Sequence, residues 1–274
     1  MDSTSSPENS PRADTPTTSL SPSVRRALEL VESGDAGAKL EAAWEIRRLT
    51  KTSQRCRRHL SAAIRPLVDM LHADASREAA LLALLNLAVK DDRNKISIVE
   101  AGALVPIISF LTSEGSNLQE YATASLLTLS ASPENKPVIS ASGAIPLLVE
   151  ILRHGTLQAK VDAVMALSNL STLNDNLSAI SETNPLSYIV SLLKTCKKSS
   201  KTAEKCCYLI ESLVSFEEGR TALTREEGGV LAVVEVLENG TLQAREHAVG
   251  ALLTMCQSDR CKYREPILRE GVIP

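Results

Sequence analysis

The sequence predicts an all-α solenoid, and three observations carry that prediction. The stretch His154-Gly-Thr-Leu-Gln-Ala-Lys-Val-Asp-Ala-Val-Met-Ala-Leu-Ser-Asn-Leu170 returns 85 residues later as Asn239-Gly-Thr-Leu-Gln-Ala-Arg-Glu-His-Ala-Val-Gly-Ala-Leu-Leu-Thr-Met255. A looser copy, Lys201 to Val214, lies between them, so the unit is about half that length, a period that signals stacked helical repeats. Equivalent positions near the ends of successive long helices, Arg48, Asn86, Thr128, Asn169, Ser212 and Thr254, follow in steps of 38, 42, 41, 43 and 42 residues. Within the copy, Thr156 caps a helix whose Ala159, Ala163, Ala166, Leu167 and Leu170 recur at three- and four-residue steps. A small-residue face of this kind admits a neighbouring helix closely and is not buried by one helix alone.

The 274-residue chain is 43% hydrophobic and 23% charged, with a net charge of -3 and seven aromatic residues. That balance gives no reason to expect nucleic acid, because stacking platforms are few and no global positive field is present. The opening Met1-Asp-Ser-Thr-Ser-Ser lacks the basic and apolar regions of a signal peptide, and no apolar run reaches the ~20 residues a bilayer requires. The expected location is therefore cytoplasm and/or nucleus, with no membrane span. The six cysteines show no metal-ligand spacing and read as small core or surface residues.

Residues 1–22 hold six Ser, four Thr and four Pro and predict a disordered leader. Ser6, Ser10, Thr15 and Ser21 each precede Pro, which suits either proline-directed phosphorylation or a solubilising tail. The solenoid is expected over 23–274. Val24, Leu28 and Val31 form a short helix, and Leu40, Ala43, Trp44 and Leu49 a second. The first full unit then reads Gln54 to Ala62, Ile64 to Leu71 and Ser76 to Lys90, three helices in about 42 residues.

The order recurs with its punctuation. Asn94-Lys95 opens a short helix that stops at Gly102, Pro106 starts the next, and Leu118 to Ala131 is the third; Asn135-Lys136, Gly143, Pro146 and Leu157 to Ser171 repeat the scheme. Glycine suits the left-handed residue that ends a helix and proline the first turn of the next, so each Gly…Pro pair marks a corner. Asn176 keeps the opening of the following unit, Thr183-Asn184-Pro185 replaces its corner, and Gly228-Gly229 loses the proline. The chain stops at a corner, Gly271-Val-Ile-Pro274, after a short helix Tyr263 to Arg269. The reading expects a truncated last repeat there, fraying for want of a polar cap.

Three helices per unit, the Gly-Ala-Ile-Pro-Leu-Leu-Val corner at Gly143 to Val149 and the Ala-x-x-Ala-Leu-x-Asn-Leu helix at Ala163 to Leu170 together resemble armadillo repeats. Through Asn135-Lys136, Gly143-Ala144-Ile145-Pro146 and Gly155-Thr156-Leu157-Gln158-Ala159 the chain is similar to plant armadillo proteins related to the repeat region of U-box ubiquitin ligases, although 22 residues before the repeats leave no room for a U-box. The resemblance implies a right-handed superhelix whose third helices line a concave groove for extended protein segments, in a monomeric, non-catalytic adaptor without cofactor or metal. Alternatives are the substrate-binding part of a U-box-type ligase system and, against the pattern, a nuclear-import-type receptor.

The expected groove residues are Trp44, Arg48, Asn86, Thr128, Asn169, Tyr208, Ser212 and Thr254. Asn86 and Asn169 stand where armadillo proteins place an asparagine for a partner's backbone; the other reading is a helix-end residue bonded within its own layers. One turn earlier stand Trp44, Leu82, Ala124, Met165, Tyr208 and Gly250, where import receptors use Trp followed four residues later by Asn. Only Trp44 matches, and it precedes Arg48, so it reads as core or cap more than as a ligand reader. Arg47, Arg48, Lys51, Arg55, Arg57 and Arg58 crowd the first units, and Lys194, Lys197, Lys198 and Lys201 one loop; each suits a solvated face or a docking patch. The four histidines fall in different units with no nucleophile or phosphate-loop motif, which speaks against catalysis.

Overall fold

The computed structural model describes residues 20–113 and 116–271. Its α-helices are α1 (Pro22–Val31), α2 (Ala36–Thr50), α3 (Gln54–His59), α4 (Ile64–Met70), α5 (Arg77–Ala88), α6 (Asp92–Glu100), α7 (Leu104–Phe110), α8 (Asn117–Leu129) and α9 (Lys136–Ala141). They continue as α10 (Ala144–His154), α11 (Leu157–Leu170), α12 (Asn174–Glu182), α13 (Leu186–Thr195), α14 (Lys201–Leu213), α15 (Glu217–Arg225), α16 (Gly229–Asn239), α17 (Leu242–Ser258) and α18 (Arg260–Arg269). Single 3-10 turns occupy Ser61–Ala63 and Pro133–Asn135. The long third helices α2, α5, α8, α11, α14 and α17 pack in an unbroken row, each against the next. The molecule is an α-solenoid, as the period requires.

Alanines set the spacing of that row. Ala42, Ala43, Ala79, Ala80, Ala83, Ala122, Ala159, Ala163, Ala166, Ala203, Ala244, Ala248 and Ala251 are all buried, so neighbouring helices approach backbone to backbone while Leu84, Leu87, Leu126, Leu129, Leu167 and Leu170 fill the space behind. Local chemistry fixes where the helices begin. Asp35, Ser116, Thr156, Ser200 and Thr241 accept the N–H three residues on at 2.6, 3.3, 3.2, 3.2 and 3.2 Å. Ser76 is the exception and donates instead to the Met70 carbonyl at 3.0 Å. Gly155 and Gly240 close the preceding turn because a Cβ there would sit 2.7 Å from the Ile151 carbonyl oxygen and 2.5 Å from that of Val236.

At the corners, Gly102, Gly143 and Gly228 take φ of 91°, 81° and 63°, and Asn184, which replaces glycine, takes 49°. Asparagine tolerates this region better than other side chains, so the worn corner keeps its geometry. The prolines sit deeper than the first helical residue, since Pro66, Pro106 and Pro146 are each third in their helices. The first four N–H groups of a helix have no intrahelical partner, so a proline costs nothing at the third position either. Ser21 caps α1 at 3.4 Å from Val24 N, so that helix starts at Pro22, a residue before the expected edge of the solenoid. Ser6, Ser10 and Thr15 lie outside the described residues, as do the last three of the chain. Before them, α18 starts at Arg260, upstream of the expected Tyr263, behind the cap Asp259, and carries Pro266 in its interior.

A polar contact recurs at five successive third-helix ends, from α2 to α14. Asn94 donates to the carbonyls of Leu87 (3.0 Å) and Arg57 (3.2 Å), Asn135 to those of Leu129 (3.2 Å) and Lys95 (3.0 Å), and Asn176 to that of Leu170 (2.9 Å). One acceptor is a carbonyl in the last turn of the third helix; for Asn94 and Asn135 the other belongs to the first helix of the preceding layer. In the outer layers arginine takes the role. Arg57 reaches Lys51 O at 3.3 Å and Asn86 O at 3.1 Å, and Arg220 reaches Val214 O at 3.0 Å and Ser215 O at 2.9 Å. Replacing Asn135 with Ala removes two buried hydrogen bonds, which should lower stability by about 1–3 kcal/mol. Thermal unfolding of N135A against an exposed control such as V138A measures this, and equal melting temperatures would show that the clamp contributes nothing.

Candidate protein-binding groove

The expected groove residues all lie on the stacked third helices, and their polar atoms are largely committed inside the protein. Asn86 Nδ2 donates to Arg47 O at 2.9 Å, and Asn169 Nδ2 to Leu127 O at 3.3 Å and Ser130 Oγ at 3.1 Å. Both amides therefore bridge to the preceding third-helix layer, the second of the two readings, and leave their Oδ1 atoms without a donor among the described residues. Thr128 and Ser212 return their hydroxyls to Ala124 O and Tyr208 O, each at 2.9 Å, within their own helices. Thr254 is half-buried, with no hydrogen bond from its side chain.

Trp44 is not in the core. It is 41% exposed, with the Arg47 guanidinium 5.3 Å from its ring centroid, an arrangement favoured by the ring quadrupole. It shares a cleft of about 460 Å³ with Ser23, Arg26, Leu30, Glu41, Glu45 and Arg48. Arg48 is clamped to Glu45 at 2.6 and 2.7 Å, and that bond draws the Glu45 carboxyl below its ordinary pKa. In the middle of the row Leu85, Leu127 and Met165 are half-buried. The face is thus apolar at its centre and charged toward its two ends.

At the far end Tyr208 belongs to a cluster whose other members, His247, Glu211 and Lys205, the spacing argument did not single out. His247 Nδ1 lies 2.7 Å from Glu211 Oε2, and the His247 ring meets Tyr208 edge-on, with centroids 5.2 Å apart. Lys205 Nζ stands 5.5 Å over the Tyr208 ring. Gly250 makes this possible, since a Cβ there would overlap the Glu211 carboxylate. Its signal in the sequence was glycine at a rung where every other layer carries a side chain.

Asp162 on α11 is the other unusual group. It is 9% exposed, and burial raises its pKa, helped by the charge of Glu120 and opposed by a 3.0 Å hydrogen bond from Gln158. The cysteines are free thiols; burial pushes Cys207 up to about 12 and raises Cys206 and Cys196 as well, which keeps them unreactive. Among the described residues no group of three His, Cys, Asp or Glu side chains is arranged to hold a metal ion. No described helix is long and apolar enough to cross a membrane.

The sequence pattern of the Armadillo/beta-catenin-like repeat matches residues 132–172, the layer built on α9, α10 and α11. A designed armadillo repeat protein solved with the peptide (KR)4 aligns with a TM-score of 0.69 at 20% identity, over 85% of this chain and 99% of its own. The chain is an armadillo-repeat protein. Its repeats are related to those of Arabidopsis thaliana U-box domain-containing proteins: number 45 is 32% identical over 206 residues, 73% of this chain and 26% of that protein. Number 8 is 27% identical over 88% of this chain and 64% of that protein. The chain therefore spans between about a quarter and just under two thirds of these relatives.

The Asp162 environment gives a signed pH effect within the armadillo row. A carboxyl whose folded pKa lies above its unfolded value, ordinarily about 3.9, favours the folded state when protonated. Its cost appears as pH rises through the unfolded and then the folded value. Asp162→Asn, which keeps the acceptor for Gln158, should therefore raise the melting temperature at pH 7 and lose that advantage near pH 3. A gap that stays constant with pH would assign the effect to packing instead of charge.

Proposed function

We propose that the stacked third helices bind extended segments of partner proteins and that the chain is a non-catalytic adaptor, monomeric, in the cytoplasm and/or nucleus. The armadillo fold makes it a protein-binding repeat scaffold, and the observation that favours this face is the unbroken row of third helices. Layers of packed helices stand ~8–10 Å apart and an extended chain advances ~3.3 Å per residue, so each rung addresses about every third residue of a partner. Six rungs then hold roughly 15 residues. The designed relative that carries a peptide supports a peptide-binding role for the fold.

Because the amides of Asn86 and Asn169 are engaged between layers, side-chain anchoring carries more of this reading than asparagine-to-backbone bonding. Trp44 and Tyr208 offer aromatic anchors at the two ends, and Met165 with Leu127 an apolar floor. The lack of repeated Trp and Asn pairs argues against an import-type receptor. A second reading, the substrate-binding part of a U-box-type ubiquitin ligase system, is favoured by the relatives' U-box names; copurification of a U-box chain that ubiquitinates the captured partner would select it.

The test is affinity purification with quantitative mass spectrometry of wild type, Trp44→Ala/Tyr208→Ala, and a control on α7, Val105→Ser, which is 76% exposed on a second helix. Aromatic anchors contribute about 2 kcal/mol or more when they are central to an interface, so partners should fall by more than tenfold for the double variant and not for the control. Equal loss with V105S, or retention by the double variant, would move the binding surface off the third helices.

A further inference from the structure

We infer that a second groove, on the first-helix edge of the solenoid between α3 and α6, docks a carboxylate-rich segment of another protein. It has a volume of about 670 Å³ and is lined by Gln54, Arg58, Ser61, Lys90, Asp91, Asp92, Arg93, Asn94 and Ser97. Its two acids are already committed. Asp91 is 8% exposed, caps α6 by accepting Asn94 N at 3.1 Å and lies 3.8 Å from Arg58 Nε. Asp92 pairs with Lys95 at 2.7 Å. Lys90 and Arg93 are exposed and have no carboxylate within 4 Å among the described residues, and Arg58 keeps most of its guanidinium in solvent. Three cations, Arg58 from α3 and Lys90 with Arg93 from the stretch that opens α6, thus line one concavity beside Ser61 and Ser97.

The backbone supplies an independent observation. Asn94 reaches its helix-end acceptor Leu87 seven residues back, whereas Asn135 and Asn176 reach Leu129 and Leu170 six back. The turn here therefore holds one extra residue, and Lys90 occupies a left-handed conformation, φ 55°, that the corresponding turns after α8 and α11 do not use. Glycine or asparagine would take this backbone with less strain. Asp91 N closes this turn on Ala88 O at 3.3 Å, and the turn sets Lys90 on the rim of the groove. No aromatic residue lines the groove, so stacked bases have no platform, whereas an acidic peptide needs only cations and hydrogen-bond donors. Arg57, in the same basic run, is buried and serves the layer clamp, so it takes no part.

Fluorescence anisotropy of a short fluorescein-labelled Glu/Asp peptide with the full chain tests this, against a Lys-rich peptide and a single-stranded oligonucleotide of equal length. The acidic peptide should bind preferentially and weaken several-fold as salt rises from about 50 to 200 mM. Lys90→Gly with Arg93→Gln should cost roughly three- to tenfold in affinity, while the melting temperature stays level or rises because the left-handed strain is relieved. Arg93→Gln alone should fall between. Absence of acidic-peptide binding, binding unchanged in the double variant, or tighter binding of the oligonucleotide would each overturn the proposal.

Discussion

The structure depends on side-chain amides that bond the carbonyls at the C-termini of the third helices. Each such end turns into the next first helix, and its last carbonyls have no partner within the helix itself. Asn94, Asn135 and Asn176 fill that need with one amide group, and two of them also bind the preceding layer. The layers are therefore joined by hydrogen bonds on one edge and by alanine-spaced helix contact on the other. The same amides explain why a unit beginning with Asn-Lys recurs: the asparagine is a backbone clamp, and the lysine after it is free to vary in its pairing. Lys95 meets Asp92 and Lys136 meets Thr172.

Much of this was legible in the sequence because the signals were periodic. Alanine spacing gave the third helices, and glycine at the corners gave the left-handed residues; Asn184 was recognisable as a substitute because asparagine is the next residue to tolerate that backbone. What stayed hidden was direction. The period located Asn86 and Asn169 but did not say whether their amides turn outward or toward Arg47 and Leu127. It placed Trp44 without revealing that α1 covers only part of it. The asparagines at 94, 135 and 176 were visible as helix openings, yet their acceptors lie 6 or 7 residues back and, for Asn94 and Asn135, also 37 and 40 residues back along the chain, a pairing that no local pattern encodes.

The site was less legible than the fold for the same reason. A groove on an armadillo protein is made from side chains left over after packing, and packing is what the sequence period reports. Gly250 illustrates this: as a residue type it suggested only a missing side chain, whereas in three dimensions it is the space through which Glu211 reaches His247. Lys90 is similar, because a single inserted residue changes a turn that otherwise repeats without variation.

Across to the neighbouring layer, the clamps at Asn94 and Asn135 donate only to backbone carbonyls. A joint of that kind is blind to the side chains on the other side, so one layer can in principle be exchanged for another, duplicated or reordered without redesigning the seam. The long copy shared by α11 and α17 stands two layers apart, with both helices packed against α14. Interchangeable masonry of this sort lets the outward surfaces diversify quickly while the joints stay the same.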